Sequence, residues 1–140
     1  MVNSDDSTAD AVATHVSLSV RVGEFMRAKD PWQTLARIDS LPDRERRTLA
    51  VRGLREIVRN VIVRDLLAGE ERMSAVPRLT PDFVEDFERF DLTVRDGYLV
   101  SLIDGRSSIQ SILKLSPVDP FTTLFAIARL HHKKVVTLPS

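Results

Sequence analysis

Apolar residues recur at helical spacing along most of the chain, and short polar caps cut that pattern into segments. Asp30 and Pro31 pair an N-cap with a first-turn proline. Trp32, Leu35, Ala36 and Ile38 then give a short helix. Ser40, Leu41 and Pro42 open the longest predicted helix. Its apolar positions Ala50, Val51, Leu54, Ile57, Val58, Val61, Ile62 and Leu66 keep helical spacing, and Gly69 suits the position just past its end. Residues 70–80, with Pro77, read as a linker. Thr80 and Pro81 start another helix, in which Phe83, Val84, Phe87 and Phe90 fall on one stripe and are expected in a core. Upstream, residues 1–15 are poor in large apolar side chains and read as a disordered tail. Val16, Leu18, Val20 and Val22 alternate as in a strand, whereas Val22, Phe25 and Met26 keep helical spacing. A helix from about Leu18 is expected there.

The last third is the most structured stretch. Thr93 with Asp96 three positions on resembles a capping box, followed by Val94, Tyr98, Leu99, Leu102 and Ile103 on one helical face. Gly97 interrupts that helix. Asp104 and Gly105 signal a turn, since glycine accepts positive φ without a steric penalty. Ser107 and Gln110 bracket a second capping box, with Ile109, Ile112 and Leu113 as the buried positions of a short helix. Ser116 and Pro117 stop it, and Asp119 and Pro120 start a third helix reaching about His132. Phe121, Leu124, Phe125, Ile127 and Ala128 form its apolar face, and Val135, Val136 and Leu138 close the chain as a β-rich segment. Three helices followed by a strand is the order of a winged helix, whose third helix often reads DNA. The expected fold is therefore mainly α: a helical region over residues 16–75, then a winged-helix-like module over residues 80–140 with a small β element.

The runs YLVSLIDGRSSIQSIL, SPVDPFTTLFAIARL and KKVV resemble the C-terminal winged-helix module of many bacterial signalling proteins. That module carries an I-D-G-[KR]-[ST] turn between helices and is frequent beside receiver and PatA-like domains in deltaproteobacteria. The chain is more distantly similar to the PqqD-like peptide-binding fold, which has the same turn. The likeness spans roughly residues 80–138. It implies a regulatory module that works by docking. The sequence departs from the pattern at Lys133 and Lys134, where such modules usually carry a glycine ahead of the final strand.

Composition narrows the chemistry. The 140 residues suit one domain, or a small domain with a helical extension. Twenty basic and twenty acidic side chains cancel, so the chain as a whole is not built to seek polyanions. With no cysteine there is no disulfide framework, thiolate nucleophile or cysteine metal site. No apolar run is long enough for a membrane span. The start MVNSDDSTAD is acidic and polar, the opposite of a secretory signal, so a cytoplasmic location is expected. The charge is unevenly spread. Residues 44–64 hold seven arginines against two glutamates, net +5, and residues 82–96 hold six acids against two arginines, net −4. The two segments could attract each other or face separate partners.

Arg52, Arg55 and Arg59 share one helical face. A solvated face is the first reading of such a run, and contact with phosphate or anionic lipid the second. On the third helix Thr122, Thr123, Ala126, Arg129 and Lys133, with Lys134 at the wing, are candidate DNA contacts, but few of them are cationic. His131 and His132 are adjacent rather than four apart, so no metal site is expected, and His131 is read as packing at the end of the apolar face. No nucleophile elbow, Walker loop or dinucleotide fingerprint is present. Ser107 near Asp104 is explained by a turn and a cap. Trp32 is either core or an interface anchor. The sequence thus points to a non-enzymatic regulatory adaptor without a cofactor, acting on another protein or peptide. Candidate partner-binding residues are Trp32, Arg52, Arg55, Arg59, Thr122, Thr123, Arg129, Lys133 and Lys134, and the arginine-rich helix also suits a homodimer interface. The alternative is a DNA-binding transcriptional regulator using helix 120–132 and the Lys133/Lys134 wing. Peptide binding on the PqqD pattern is a third reading.

Overall fold

The computed structural model describes residues 30–68 and 72–139. The tail over residues 1–15, the helix expected from Leu18 and the helix end at Gly69 lie outside the described residues. The chain divides into two compact units, Met1–Ile62 and Val63–Ser140. The division falls within a helix rather than in the 70–80 stretch that composition marks as a linker. The described residues are mainly α-helical with a small two-stranded antiparallel sheet, as expected.

In the first unit, α1 (Pro31–Asp39) begins as read. The Asp30 carboxylate accepts the Trp32 N–H at 2.9 Å, and Pro31 occupies the first turn. Thr34, Leu35 and Ile38 form its buried side. The single long helix expected from Pro42 is in fact two: α2 (Asp43–Arg46) and α3 (Leu49–Leu66). Thr48 accounts for the break. Its hydroxyl donates to the Glu45 carbonyl at 2.7 Å, closing α2, and accepts the Val51 N–H at 3.4 Å, starting α3. The buried residues of α3 in this unit are Val51, Val58 and Ile62, while Ile57 is half exposed.

The second unit holds the end of α3, with Val63 and Leu66 buried. A 3₁₀ turn (Arg72–Ser74) and the strand β1 (Arg78–Leu79) follow, both within the stretch expected to be a plain linker. Thr80 caps α4 (Pro81–Glu85) by accepting the Phe83 N–H at 3.3 Å. The helix expected to run on through Phe90 stops at Asp86, whose backbone (φ −144°, ψ 66°) leaves the helical region, and a 3₁₀ turn (Phe87–Arg89) takes over. The phenylalanine stripe is therefore broken. Phe83 is buried and stacks edge-on against Phe90, with ring centroids 5.5 Å apart, while Phe87 is 62% exposed.

Helices α5 (Val94–Ser101), α6 (Ile109–Leu115) and α7 (Pro120–His132), with β2 (Val136–Thr137), reproduce the expected order. α5, α6 and β2 all pack on α7, whose Leu124, Phe125, Ile127, Ala128 and Leu130 supply much of the core. The α5 stripe is narrower than its spacing suggests: Leu99 and Ile103 are buried, Val94 is 92% exposed, and Tyr98 is half exposed. Gly105 has the positive φ expected of the turn (75°). The cap of α6 sits one residue later than read, at Ser108, whose hydroxyl accepts the Ser111 N–H at 3.2 Å. Ser107 instead belongs to the turn, donating its N–H at 2.7 Å and its hydroxyl at 3.1 Å to Asp104.

The exit from α7 answers the departure at Lys133 and Lys134. Lys134 itself takes the left-handed conformation, at φ 65°. Its N–H donates to the His131 carbonyl at 3.1 Å and the Val135 N–H to the Leu130 carbonyl at 3.0 Å. This is a Schellman closure with a lysine where glycine is usual, and Leu130 and Val135 are both fully buried beside it. Thr80 ties that exit to β1: its N–H donates to the Val135 carbonyl at 2.9 Å and its hydroxyl to the Lys134 carbonyl at 2.7 Å. β1 and β2 pair antiparallel, Arg78 opposite Thr137 and Leu79 opposite Val136.

Candidate functional site: an arginine-lined groove

The break at Thr48 shapes the most distinctive surface of the first unit. It leaves α2 and the opening turns of α3 as separate walls, with Ile38 of α1 contributing to the lining. Together they enclose an open groove of about 470 Å³, lined by Ile38, Arg46, Leu49, Val51, Arg52, Gly53, Arg55, Glu56 and Arg59. Four arginines and one glutamate are among the lining residues. Ile38 and Val51 are buried apolar residues of the lining, and Leu49 adds an apolar side chain that is 84% exposed.

The helical phase brings Arg52, Arg55 and Arg59 onto one groove, as their spacing suggested, and the structure adds Arg46. Several of these cations are in ion pairs at the surface. Arg46 meets Asp43 at 3.3 Å, Arg55 meets Asp39 at 3.2 Å, and Arg59 meets Glu56 at 3.0 Å. Arg52 is exposed and makes no ion pair among the described residues. The Arg46 and Arg55 pairs are exposed and worth about 0–1 kcal/mol each, so an incoming carboxylate can replace them at little cost, whereas the Arg59 side chain is partly buried. The groove thus offers hydrogen-bond donors in planar forks beside apolar surface. That combination suits acidic groups carried on an apolar scaffold.

The remaining sequence-predicted residues lie elsewhere. Trp32 is half-buried in α1 and does not line the groove. On α7, Thr122 donates its hydroxyl to the capping Asp119 at 2.6 Å. Thr123 cannot reach a partner: it is 2% exposed, shares a hydrogen bond with Ser116 at 2.8 Å and donates to the Asp119 carbonyl at 3.1 Å. Arg129 points at α5, where it pairs with the fully buried carboxylate of Asp96. The same carboxylate accepts the Thr93 N–H at 3.1 Å, completing the capping box read from sequence. Lys133 donates to the Asp91 carbonyl at 3.0 Å, and Lys134 is exposed at the strained exit. His131 is exposed rather than packed. Partial desolvation, then the positive charges of Arg72 and His132, hold its pKa below the ordinary histidine value.

Sequence reading missed two features of the second unit. One is the surface of residues 82–98, where Val84, Phe87, Val94 and Tyr98 are exposed among acidic side chains. The break at Asp86 accounts for the exposure of Phe87. The other is a cleft of about 490 Å³ along the small sheet, lined by Ser74, Ala75, Val76, Arg78, Thr137, Leu138 and Pro139. Among the described residues no cluster of His, Asp or Glu could hold a metal ion, and no helix is long and apolar enough to cross a membrane. Comparison of the chain with protein-family models, curated proteins and solved structures returns no match.

Proposed function

We propose that this chain is a regulatory adaptor that docks an acidic, apolar-bearing segment of a protein partner in the arginine groove, with no catalytic step of its own. The observation that carries the reading is the groove itself: four arginines from α2 and α3 beside Ile38, Val51 and Leu49. A bare phosphate surface needs cations but no apolar neighbours. A peptide that combines carboxylates with an aromatic or aliphatic anchor uses both. The likeness of residues 80–138 to modules of bacterial signalling proteins supports a regulatory, cytoplasmic setting.

The DNA reading has less support. On α7 the side chains of Thr123 and Arg129 are engaged within the fold, which leaves few cations for the phosphate contacts on which DNA affinity rests. The test is fluorescence anisotropy of the full chain with three labelled probes. These are a peptide mixing acidic and aromatic residues, the same peptide with its aromatics replaced by serine, and a random-sequence DNA duplex. The first should bind most tightly and weaken with Arg52→Glu. Tighter binding of the duplex, or no binding of the first peptide at low salt, overturns the proposal.

A further inference from the structure

We infer that the occupant of the groove is the acidic stretch at residues 82–91 of a second copy of this chain. The inference rests on the docking reading above and names its partner. The stretch has the chemistry the groove selects. Asp82, Glu85, Asp86, Glu88 and Asp91 are all exposed, and none forms an ion pair among the described residues. Phe87 and Val84 stand among them, 62% and 64% exposed. The stretch therefore presents an aromatic and an aliphatic side chain together with carboxylates, the two kinds of group an arginine-lined, partly apolar groove can engage. The groove is its complement: Arg52 makes no ion pair among the described residues, Arg46 and Arg55 hold their anions only at the surface, and Leu49 is open to an aromatic neighbour.

Residues 44–64 carry a net charge of +5, and the exposed stretch 82–91 holds five acids against Arg89, net −4, so two neutral chains attract through oppositely charged patches. Each copy has one groove and one acidic stretch. Two copies engaging each other mutually close as a dimer, and one-way engagement extends into larger assemblies.

The experiment is sedimentation velocity of the full chain over a range of concentrations at low and high salt. It uses two charge-reversed variants, Arg52→Glu with Arg55→Glu, and Glu85→Lys with Glu88→Lys, each checked by circular dichroism for retained helix. Wild type should associate with rising concentration and dissociate with salt. Each variant alone should associate at least about tenfold more weakly. An equimolar mixture should recover the association, because each reversed patch then meets a reversed partner. A wild-type chain that stays monomeric throughout, or a mixture that recovers nothing, overturns the inference. Binding of the acidic-aromatic peptide by a chain that stays monomeric keeps the docking reading and removes only the second copy as partner. Loss of both results removes both.

Discussion

The Asp96–Arg129 pair gives the sharpest test of how the second unit is held together. Asp96 is fully buried, while the Arg129 side chain is 31% exposed. Asp96→Ala removes the acceptor of the Thr93 N–H, a loss of about 1 kcal/mol for a helix-start contact. It also strands Arg129. Breaking a fully buried pair costs roughly 3–5 kcal/mol, but the Arg129 side chain is partly exposed, so about 1–2 kcal/mol applies here. The sum is about 2–3 kcal/mol. Arg129→Met leaves the opposite orphan, a carboxylate with no water and only the Thr93 N–H, so the larger figure of about 3–5 kcal/mol applies. The burial asymmetry therefore orders the two: the arginine variant should be the less stable. The double variant should cost less than the two single losses together, by about 1–3 kcal/mol. Urea unfolding followed by far-UV circular dichroism measures all four proteins, with midpoints falling by about 1–2 M for the single changes. Additive losses, or an Asp96→Ala loss exceeding that of Arg129→Met, would refute the reasoning.

Three further predictions concern local geometry. Lys134→Gly relieves a left-handed lysine but loosens the unfolded chain, for a net gain of about 0.5–1 kcal/mol, whereas Lys134→Ala keeps the strain and gains nothing; paired urea melts decide. Gly97 has nothing within 4 Å of the place a Cβ would take, so Gly97→Ala should stabilise α5 by about 0.5–1 kcal/mol, and a loss would show an unseen clash. The Ser107 and Arg106 amides hold the Asp104 carboxyl below its ordinary value of 3.8. A depressed carboxylate stabilises the fold fully at neutral pH and stops doing so as pH falls through its lowered pKa. The stability gap between wild type and Asp104→Ala should thus narrow only in that acid range. A gap already closing well above it would contradict the assignment.

Much of the second unit was legible because its punctuation is local. The caps at Thr80, Thr93 and Asp119 and the glycine of the Asp104 turn are set by the residues themselves. Elements whose ends depend on backbone phase were not. The helical spacing runs unbroken across Thr48 and Asp86, yet the chain breaks at both, and a 3₁₀ turn after Asp86 advances each residue by about 120° rather than about 100°. The non-helical backbone of Asp86 (φ −144°, ψ 66°) is what moves Phe87 from the expected core to the surface. β1 is two residues long, too short to carry an alternation. The groove was half legible. Helical spacing placed three of its arginines together, but Arg46 and Ile38 join them only through the tertiary fold. Thr123 and Arg129 fit a reading helix by position, and nothing local reveals that one is buried and the other engaged by Asp96.

The central claim is that the groove, and no other surface, takes an acidic, apolar-bearing segment. Amide chemical shifts of the isotope-labelled chain, followed as the acidic-aromatic peptide is added, test it most directly. The account predicts saturable shifts at Leu49, Arg52, Gly53 and Glu56. Shifts confined to the cleft at Ala75 and Thr137 or to the exit at Lys133 and Lys134, with those groove amides unmoved, would contradict it.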